Sequence, residues 1–325
     1  MKKTIFISVG ALLATTFVAL LAFDQPNRKQ AKLNKPDSIH APKLPQKLAF
    51  AKEEVPMGDF DVRERFDREL MINTFWHSQT LYTIKKTQRF VPTIEGILKK
   101  NGVPDDFKYL AIAESGLANL VSPAKAAGFW QFLESTGKRY GLEINDEVDE
   151  RYHLEKATEA AAKYLKDSKE KLGNWTLAAA AYNMGENGVA GAIEKQGVSN
   201  YYDLLLNAET SRYMFRILAI KEIYSNPSQY GFILDSADYY PSIATYTVEV
   251  DSAIDNLAQY ALDNGTNYKV LKLLNPWLRK PYLKNKAKKT YTITLPTDKN
   301  ISIPADSDIK PAMPKAGDGG EESVE

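Results

Sequence analysis

Apolar residues recur at intervals of three and four between about residue 60 and residue 228. This spacing is the periodicity of amphipathic helices. The predicted helices are DVRERFDRELMINTFW, SQTLYTIKKTQRFVPTIEGILKK, DDFKYLAIAES, GFWQFLESTGKRYG, LEKATEAAAKYLKDSKEKLG, NWTLAAAAYNMG, ENGVAGAIEKQG and ETSRYMFRILAIKEIYS. Pro92 is expected to kink or split the second helix, and Gly116 is a suitable C-cap for the third. Because no strand-rich run interrupts this series, the pattern predicts one compact, almost all-α domain.

The pattern changes after Pro241, where alternation of apolar and polar residues replaces the helical period. SIATYTVEV and KTYTITLP alternate as strands do, and AIDNLAQYALDN and YKVLKLLNP between them are helical. A small β-α-α-β module is therefore predicted over about residues 245–296. Eight Lys or Arg and no acid lie from Lys269 to Lys289. They form either a solvated basic face or a surface that attracts an anionic polymer.

The two ends of the chain differ from this folded middle. Residues 5–23 carry no charge and follow two lysines, so residues 1–23 are predicted to be either a cleaved signal peptide or an N-terminal membrane anchor. Residues 24–58 are rich in Pro, Lys and Gln and are predicted to be a linker. Residues 301–325 are rich in Pro, Gly and acid, which predicts a disordered tail. The protein is expected to be exported, with residues 5–23 anchoring it in the membrane if they are not cleaved.

Composition narrows the chemistry. The chain of 325 residues has a formal net charge of +1, so no global field favours nucleic acid as a partner. It has no cysteine, which excludes disulfides, Cys-ligated zinc, iron–sulfur clusters and thiol nucleophiles. None of the three histidines, His40, His77 and His153, has a partner at ligand spacing. No metal and no cofactor are therefore expected.

One carboxylate stands at the end of an apolar helix, in the stretch LAIAESGL. Burial disfavours the charged form of a carboxyl group, so the pKa of Glu114 is expected to be raised. A carboxylic acid that keeps its proton near neutral pH can protonate a glycosidic oxygen. The alternative is a helix-end Glu bonded to backbone amides or to a lysine, and this segment taken alone favours that alternative.

Three motifs follow one another along the helical region. The pair Glu114-Ser115 is followed by SPAKAAGFWQFLESTGKRYGL and then by AAAAYNMGENGV. This combination resembles the lytic transglycosylases that carry the lysozyme-like SLT domain, and its GFWQF form and long helical lead-in resemble the membrane-bound members. The resemblance implies a lysozyme-like all-α catalytic domain, with its helical lead-in, over residues 59–235. It also implies that residues 236–300 form a divergent LysM-like module, a type that binds peptidoglycan sugars.

The resemblance implies roles for individual residues. Glu114 takes the position of the catalytic acid and base, and the residues in substrate-binding or supporting positions are Ser115, Ser122, Gln131, Tyr182, Asn183 and Glu209. The hydroxyl of Tyr182 is implied to lie beside the acid. The interval from Glu to Gly is one residue shorter than in the family, and Ser211 stands at the family's arginine position. The roles of Ser122 and of the neighbouring Arg212 are therefore open.

Several of these residues have a structural alternative. The alternatives are a turn for Ser122, a helix cap for Gln131 and a core position for Tyr182. Phe129, Trp130 and Phe132 are expected to lie in the core, although Trp130 can also serve as a platform for a sugar ring. The acidic residues Asp146, Glu147, Asp149 and Glu150 are expected to be charges at a helix N-terminus.

Glycoside hydrolysis normally uses two carboxylates, whereas these motifs supply one. In the reaction that the resemblance implies, Glu114 protonates the oxygen leaving MurNAc C1 and then accepts the proton of the C6 hydroxyl, which closes onto C1 without water. The implied partner is the glycan strand of peptidoglycan, and the implied location is the periplasm or cell envelope. The alternatives are a lysozyme-type muramidase hydrolase and a non-catalytic peptidoglycan-binding protein.

Overall fold

The computed structural model describes residues 39–298, and the fold is given for these residues alone. The predicted signal peptide or anchor at 1–23, part of the predicted linker and the predicted tail at 301–325 lie outside the described residues. Between residues 39 and 298, no helix is both long enough and apolar enough to cross a membrane.

Helices make up most of the first part of the described chain, as predicted. After two short strands, β1 (Ala49–Phe50) and β2 (Glu53–Glu54), the helices are α1 (Phe60–Phe75), α2 (His77–Lys100), α3 (Phe107–Ser115), α4 (Glu134–Arg139), α5 (Leu154–Leu172), α6 (Trp175–Met184), α7 (Glu186–Gln196) and α8 (Ala208–Ser225). Helix α2 continues through Pro92, so it is not split there. Short 3₁₀ turns occur at Glu150–Tyr152, Tyr201–Asp203, Pro227–Tyr230 and Ser236–Asp238.

The GFWQF stretch is the main departure from the predicted helices. It lies outside α4, because Gly128 has a φ of +83° and Gln131 a φ of +49°, and left-handed residues do not continue a right-handed helix. Residues 116–132, called the 116–132 loop below, fold back on themselves instead. Isolated β-bridges pair Ala127 with Val121 and with Phe132 inside this loop.

Helix α8 lies at the centre of the helical part, where it packs against α1, α3 and α6. Its residues Met214, Phe215 and Leu218 are fully buried. The four alanines of α6, residues 178–181, are also fully buried, and such small side chains allow helices to approach closely. The end of α3, which carries Glu114, is thereby held against the central helix.

Residues 48–57 join this core, although the sequence places them in a linker. Phe50 is fully buried, and its ring meets that of Phe107 edge-on at 5.0 Å between centroids. The carboxylate of Glu53 accepts hydrogen bonds of 2.6 and 2.8 Å from the first two backbone N–H groups of α6. Strands of two residues are too short for an alternating pattern to reveal them.

The C-terminal module has the β-α-α-β order that the sequence predicts. Strand β3 (Thr245–Val250) pairs antiparallel with β4 (Tyr291–Pro296), and α9 (Leu257–Asp263) and α10 (Tyr268–Leu274) lie between them in sequence. Leu257, Leu271, Ile293 and Leu295 are fully buried, in a cluster that is separate from the main helical core and also includes Val148 and Tyr152.

One of the acidic residues before α5, Glu147, contacts this module, whereas the side chains of Asp149 and Glu150 bind groups close to them in sequence. The carboxylate of Glu147 accepts a hydrogen bond of 2.8 Å from the backbone N–H of Lys284. Glu143, nearby, forms an ion pair of 3.0 Å with Lys289. Part of the basic stretch thus faces acids of the same chain. The side chain of Asp149 accepts from the N–H of Arg151 and caps a short 3₁₀ turn. This acid therefore does lie at the N-terminus of a helical turn, as predicted.

Candidate active site

Glu114 occupies the last turn of α3, a helix in which Leu110, Ala111 and Ile112 are buried. The helix ends at Gly116, whose left-handed φ of +56° forms the C-cap that the sequence predicts. The N–H of Gly116 donates to the carbonyl of Ile112 at 2.8 Å. The carboxyl group of Glu114 therefore projects from a rigid apolar helix and is itself only partly exposed.

The hydroxyl of Tyr213 donates a short hydrogen bond to Oε1 of Glu114. Tyr213 comes from α8 and is 1% exposed. Burial raises the pKa of Glu114 to about 7, while the hydrogen bond from Tyr213 and the charge of Arg216 oppose that rise and the charge of Glu209 adds to it. An acid with this pKa can both give and take a proton near neutral pH.

The tyrosine bonded to the acid is not the one that the sequence indicated. The hydroxyl of Tyr182 donates to the carbonyl of Trp130 at 2.7 Å. Burial and the charge of Glu114 raise the pKa of Tyr182 well above its usual range. Tyr182 therefore lies close enough to the acid to feel its charge, but its hydroxyl donates its hydrogen bond to the loop. Tyr213 was missed, although it is the last residue of ETSRY, the motif that identified Glu209.

Ser115 joins the acid-bearing helix to the 116–132 loop. Its buried hydroxyl donates to the carbonyl of Phe129 at 2.8 Å and accepts from the N–H of Ala118 at 3.4 Å. These contacts agree with the supporting role that the resemblance implies for Ser115.

Ser122 and Gln131 organise the same loop. The hydroxyl of Ser122 accepts from the N–H of Ala126 at 3.1 Å, which is the contact of a turn residue. The side-chain amide of Gln131 donates to the carbonyls of Leu120 and Gly128 at 3.1 and 2.8 Å. Gln131 therefore closes the loop rather than capping a helix.

The three aromatic residues of GFWQF lie in the core. Trp130 is fully buried and its indole N–H donates to the hydroxyl of Thr158 at 2.8 Å. The alternative that Trp130 stacks on a sugar ring is wrong, because its faces do not reach the surface. Phe129 and Phe132 are 5% and 3% exposed, as expected for core residues.

Asn183 and Glu209 lie at the junction of α6 and α8. Oδ1 of Asn183 accepts from the hydroxyl of Thr210 at 2.7 Å, which ties the two helices together. Glu209 pairs with Arg216 at 3.3 Å, and its side chain is 57% exposed. Both charges act on Glu114, so Glu209 belongs to the surroundings of the acid.

Arg212 points elsewhere. Its Nε donates to the buried carboxylate of Glu69 at 2.8 Å, and Arg68 binds the same carboxylate at 2.6 Å. Arg212 thus anchors α8 to α1. In the part of the chain that the structure describes, no group of His, Cys, Asp or Glu side chains is arranged to hold a metal ion.

Residues 92–205 match the family model described as "Transglycosylase SLT domain", and residues 246–299 match the one described as "Soluble lytic transglycosylase C-terminal LysM-like domain". The chain therefore contains an SLT transglycosylase domain followed by a LysM-like domain. Both the predicted family resemblance and the predicted fold class, a lysozyme-like helical domain with a small LysM-like module, are confirmed.

The chain is similar to "Membrane-bound lytic murein transglycosylase D" of Escherichia coli strain K12, with 31% identity over 236 residues. The alignment covers 70% of this chain and 51% of that protein. The protein of the same name from Escherichia coli O6:H1 shows the same identity and coverage. The chain thus spans about half the length of these relatives.

Proposed function

We propose that this protein is a peptidoglycan lytic transglycosylase, which cleaves the MurNAc–GlcNAc β-1,4 bond without water and leaves a 1,6-anhydroMurNAc end. The observation that carries the proposal is Glu114: a single carboxyl group with a pKa of about 7, hydrogen-bonded to a buried tyrosine inside an SLT domain. A group with that pKa is half protonated near neutral pH, as a residue that acts as acid and then as base requires.

In the proposed reaction, Glu114 first gives its proton to the glycosidic oxygen, and the bond from that oxygen to MurNAc C1 breaks. The sugar's acetamido group or an oxocarbenium ion carries the positive charge. Glu114, now a carboxylate, takes the proton of the MurNAc C6 hydroxyl as that oxygen bonds to C1. Glu114 is thereby protonated again, by the proton of the C6 hydroxyl. No water is consumed, and the substrate supplies the nucleophile.

The hydrogen bond from Tyr213 suits the second state of this cycle. A phenol can donate to a carboxylate and so stabilises the ionised Glu114 that must accept the C6 proton. We propose that Gln131, Tyr182 and Glu209 border the glycan cleft. Ser115, Ser122 and Asn183 shape it, through the contacts to loop and helix described above.

The proposed partner is the glycan strand of peptidoglycan, and the proposed location is the periplasm or cell envelope. The name of the relatives, Membrane-bound lytic murein transglycosylase D, supports both. We further propose that residues 5–23 either anchor the chain in the membrane or are removed as a signal peptide. A muramidase hydrolase remains the competing activity because it would use the same acid.

Digestion of purified sacculi, followed by mass spectrometry of the products, tests the proposal. The expected products end in 1,6-anhydroMurNAc and are lighter by one water per cleavage than those of a hydrolase. Reducing MurNAc ends would instead establish the hydrolase.

Glu114→Gln should abolish release of soluble fragments, with a loss of at least about 1,000-fold if this acid carries both proton transfers. The variant should unfold cooperatively and, at about pH 8, at no lower temperature than the parent, because glutamine removes a carboxylate whose ionised form burial disfavours. Wild-type rates from Glu114→Gln would overturn the assignment of the acid.

A further inference from the structure

We propose that the LysM-like module is a fixed part of the catalytic unit, and that Arg151 is a positioning residue through which the module holds the 116–132 loop beside Glu114. The inference rests on the proposed function for its activity readout only. Its structural content, a module that braces a loop, can be measured without substrate.

The module and the helical part share one hydrophobic core. Ala127, Val148 and Tyr152 of the helical part are buried in the same cluster as the module's Leu257 and Ile293. Ala127 belongs to the 116–132 loop itself. Since this core excludes water from the surfaces of both parts, removal of the module would expose the apolar surface of the loop at Ala127 to water.

Aromatic contacts extend this interface. The ring of Trp277 stacks on His153 at 5.8 Å and on Tyr291 at 5.7 Å between centroids. The guanidinium of Arg279 lies 4.0 Å from the ring centroid of Tyr152, a cation–π distance. The module is therefore packed against the helical part by rings from both, which a flexible tether would not need.

Backbone hydrogen bonds fix the register of the two parts. The N–H of Asp149 donates to the carbonyl of Trp277 at 2.9 Å, and the N–H of Arg279 donates to the carbonyl of Glu147 at 2.7 Å. A β-bridge joins Val148 to Leu278 between them. The module thus sets the position of the backbone at Asp149.

Arg151 carries that position to the loop. Its Nε and Nη2 donate to the two carboxylate oxygens of Asp149 at 2.9 and 2.7 Å. Its Nη1 donates to the carbonyls of Lys125 and Phe132 at 3.0 and 3.2 Å. The side chains of Arg151 and Asp149 are only 11% and 10% exposed. One guanidinium therefore binds a carboxylate on one side and two loop carbonyls on the other, which a lysine cannot do because it lacks the planar fork.

The loop that Arg151 holds leads directly to the acid. Gly128 lies so close to the backbone of Arg151 that a Cβ there would stand 1.8 Å from its carbonyl oxygen. Next to it, the carbonyl of Phe129 accepts from Ser115, the neighbour of Glu114 in sequence. A displacement at Arg151 is thereby transmitted through one close backbone contact and one hydrogen bond to the residue after the acid. Loss of geometry on the scale of 1 Å costs about 100-fold in rate.

The test compares Arg151→Lys with Arg139→Lys in the full chain. Arg139 is 61% exposed, and its side chain binds Glu186 at 3.4 Å and the hydroxyl of Tyr140 at 2.8 Å, both outside the loop, so it is the matched control. Arg151→Lys should lower turnover by about 10- to 100-fold, speed amide hydrogen exchange of residues 118–132, and leave the pH profile where it is. Arg139→Lys should change none of these.

A charge reversal at the edge of the interface tests what the module contributes to the position of the loop. Lys289→Glu places like charges at the 3.0 Å pair with Glu143 and should speed exchange in residues 118–132, while the double variant Lys289→Glu with Glu143→Lys should restore it. Activity is measured on sacculi and on short soluble glycan strands.

Equal losses of activity on both substrates support positioning, whereas a loss on sacculi alone would mean that the module only tethers the enzyme and would overturn the proposal. So would unchanged exchange in the loop of both Arg151→Lys and Lys289→Glu. If the exchange result holds but neither substrate is cleaved by the parent protein, the proposed function fails and the brace stands.

Discussion

The two walls beside Glu114 are built by different forces. The wall formed by α3 and α8 is apolar, and within it Tyr213 is the buried group that binds the acid. The other wall, the 116–132 loop that follows Glu114 in sequence, is held by polar contacts from Ser115, Gln131 and Arg151. The first wall raises the pKa of the acid through desolvation, and the second is the part that we propose positions the substrate. Changes in the helix wall should therefore move the pH profile, whereas changes in the loop wall should lower the rate at an unchanged profile.

Apart from replacement of the acid itself, the largest effect is expected at Gly128 in the loop wall. In Gly128→Ala, the new Cβ would stand 1.8 Å from the carbonyl oxygen of Arg151, so the loop or the segment at Arg151 must move. We expect at least about 100-fold lower activity and a clear drop in the melting temperature, with the pH profile unchanged. Steady-state rates across pH and thermal unfolding by circular dichroism check this.

Gly141→Ala is the matched control. Gly141 has a φ of +91°, close to the +83° of Gly128, but no atom lies within 4 Å of its added Cβ. It should show only the cost of a left-handed alanine, about 1–2 kcal/mol, and full activity once folded. If the two variants lose activity equally, the close approach at Arg151 does not matter to the site.

A smaller effect is expected in the helix wall from Tyr213→Phe. Loss of one donor to a developing carboxylate should lower the rate by about 10- to 100-fold. The hydrogen bond from Tyr213 lowers the pKa of Glu114, so its removal should raise that pKa. Since the reaction begins with protonated Glu114, the fall in rate at alkaline pH should move to higher pH.

Tyr182→Phe separates this effect from mere proximity. The hydroxyl of Tyr182 donates to the carbonyl of Trp130 and not to the acid. Its removal should lower the rate through the loop while the alkaline limb stays in place. A shift of that limb in Tyr182→Phe but not in Tyr213→Phe would reverse the roles given to the two tyrosines.

The two walls also differ in how far the sequence predicts them. An apolar helix ending in Glu114 is local, so its periodicity, its Gly116 cap and the direction of the pKa shift follow from neighbouring residues. The partner Tyr213 is 99 positions away, and only the packing of α3 on α8 selects it over Tyr182. The family resemblance implied that the hydroxyl of Tyr182 lies beside the acid, whereas in the structure the hydroxyl of Tyr213 reaches it.

The loop wall could not be predicted from local pattern at all. GFWQF has helical spacing, yet the left-handed Gln131 and the burial of Trp130 depend on α5 and on the segment at Arg151. The acids at 146–150 have a composition typical of a helix N-terminus. One of them, Glu147, nevertheless accepts from the N–H of Lys284, more than a hundred residues later, and no periodicity reports a contact of that range.

The smallest effect, and the sharpest test of the comparison, concerns two charges near the acid. The charge of Glu209 raises the pKa of Glu114 and that of Arg216 lowers it. Glu209→Gln should therefore move the alkaline limb of the rate to lower pH, and Arg216→Gln should move it to higher pH. Both side chains are partly exposed, at 57% and 28%, so solvent and salt screen them, and shifts of about a few tenths of a pH unit are expected.

The double variant should return close to the parent profile, and added salt should shrink each single shift. These curves are measured by initial rates on soluble glycan strands at low and high ionic strength. Shifts in the same direction would show that the two substitutions act by moving α8 rather than by charge. The pKa of Glu114 would then depend on how α3 and α8 pack and not on nearby charges. The difference between the two walls in their effect on the pH profile would then have a purely steric cause.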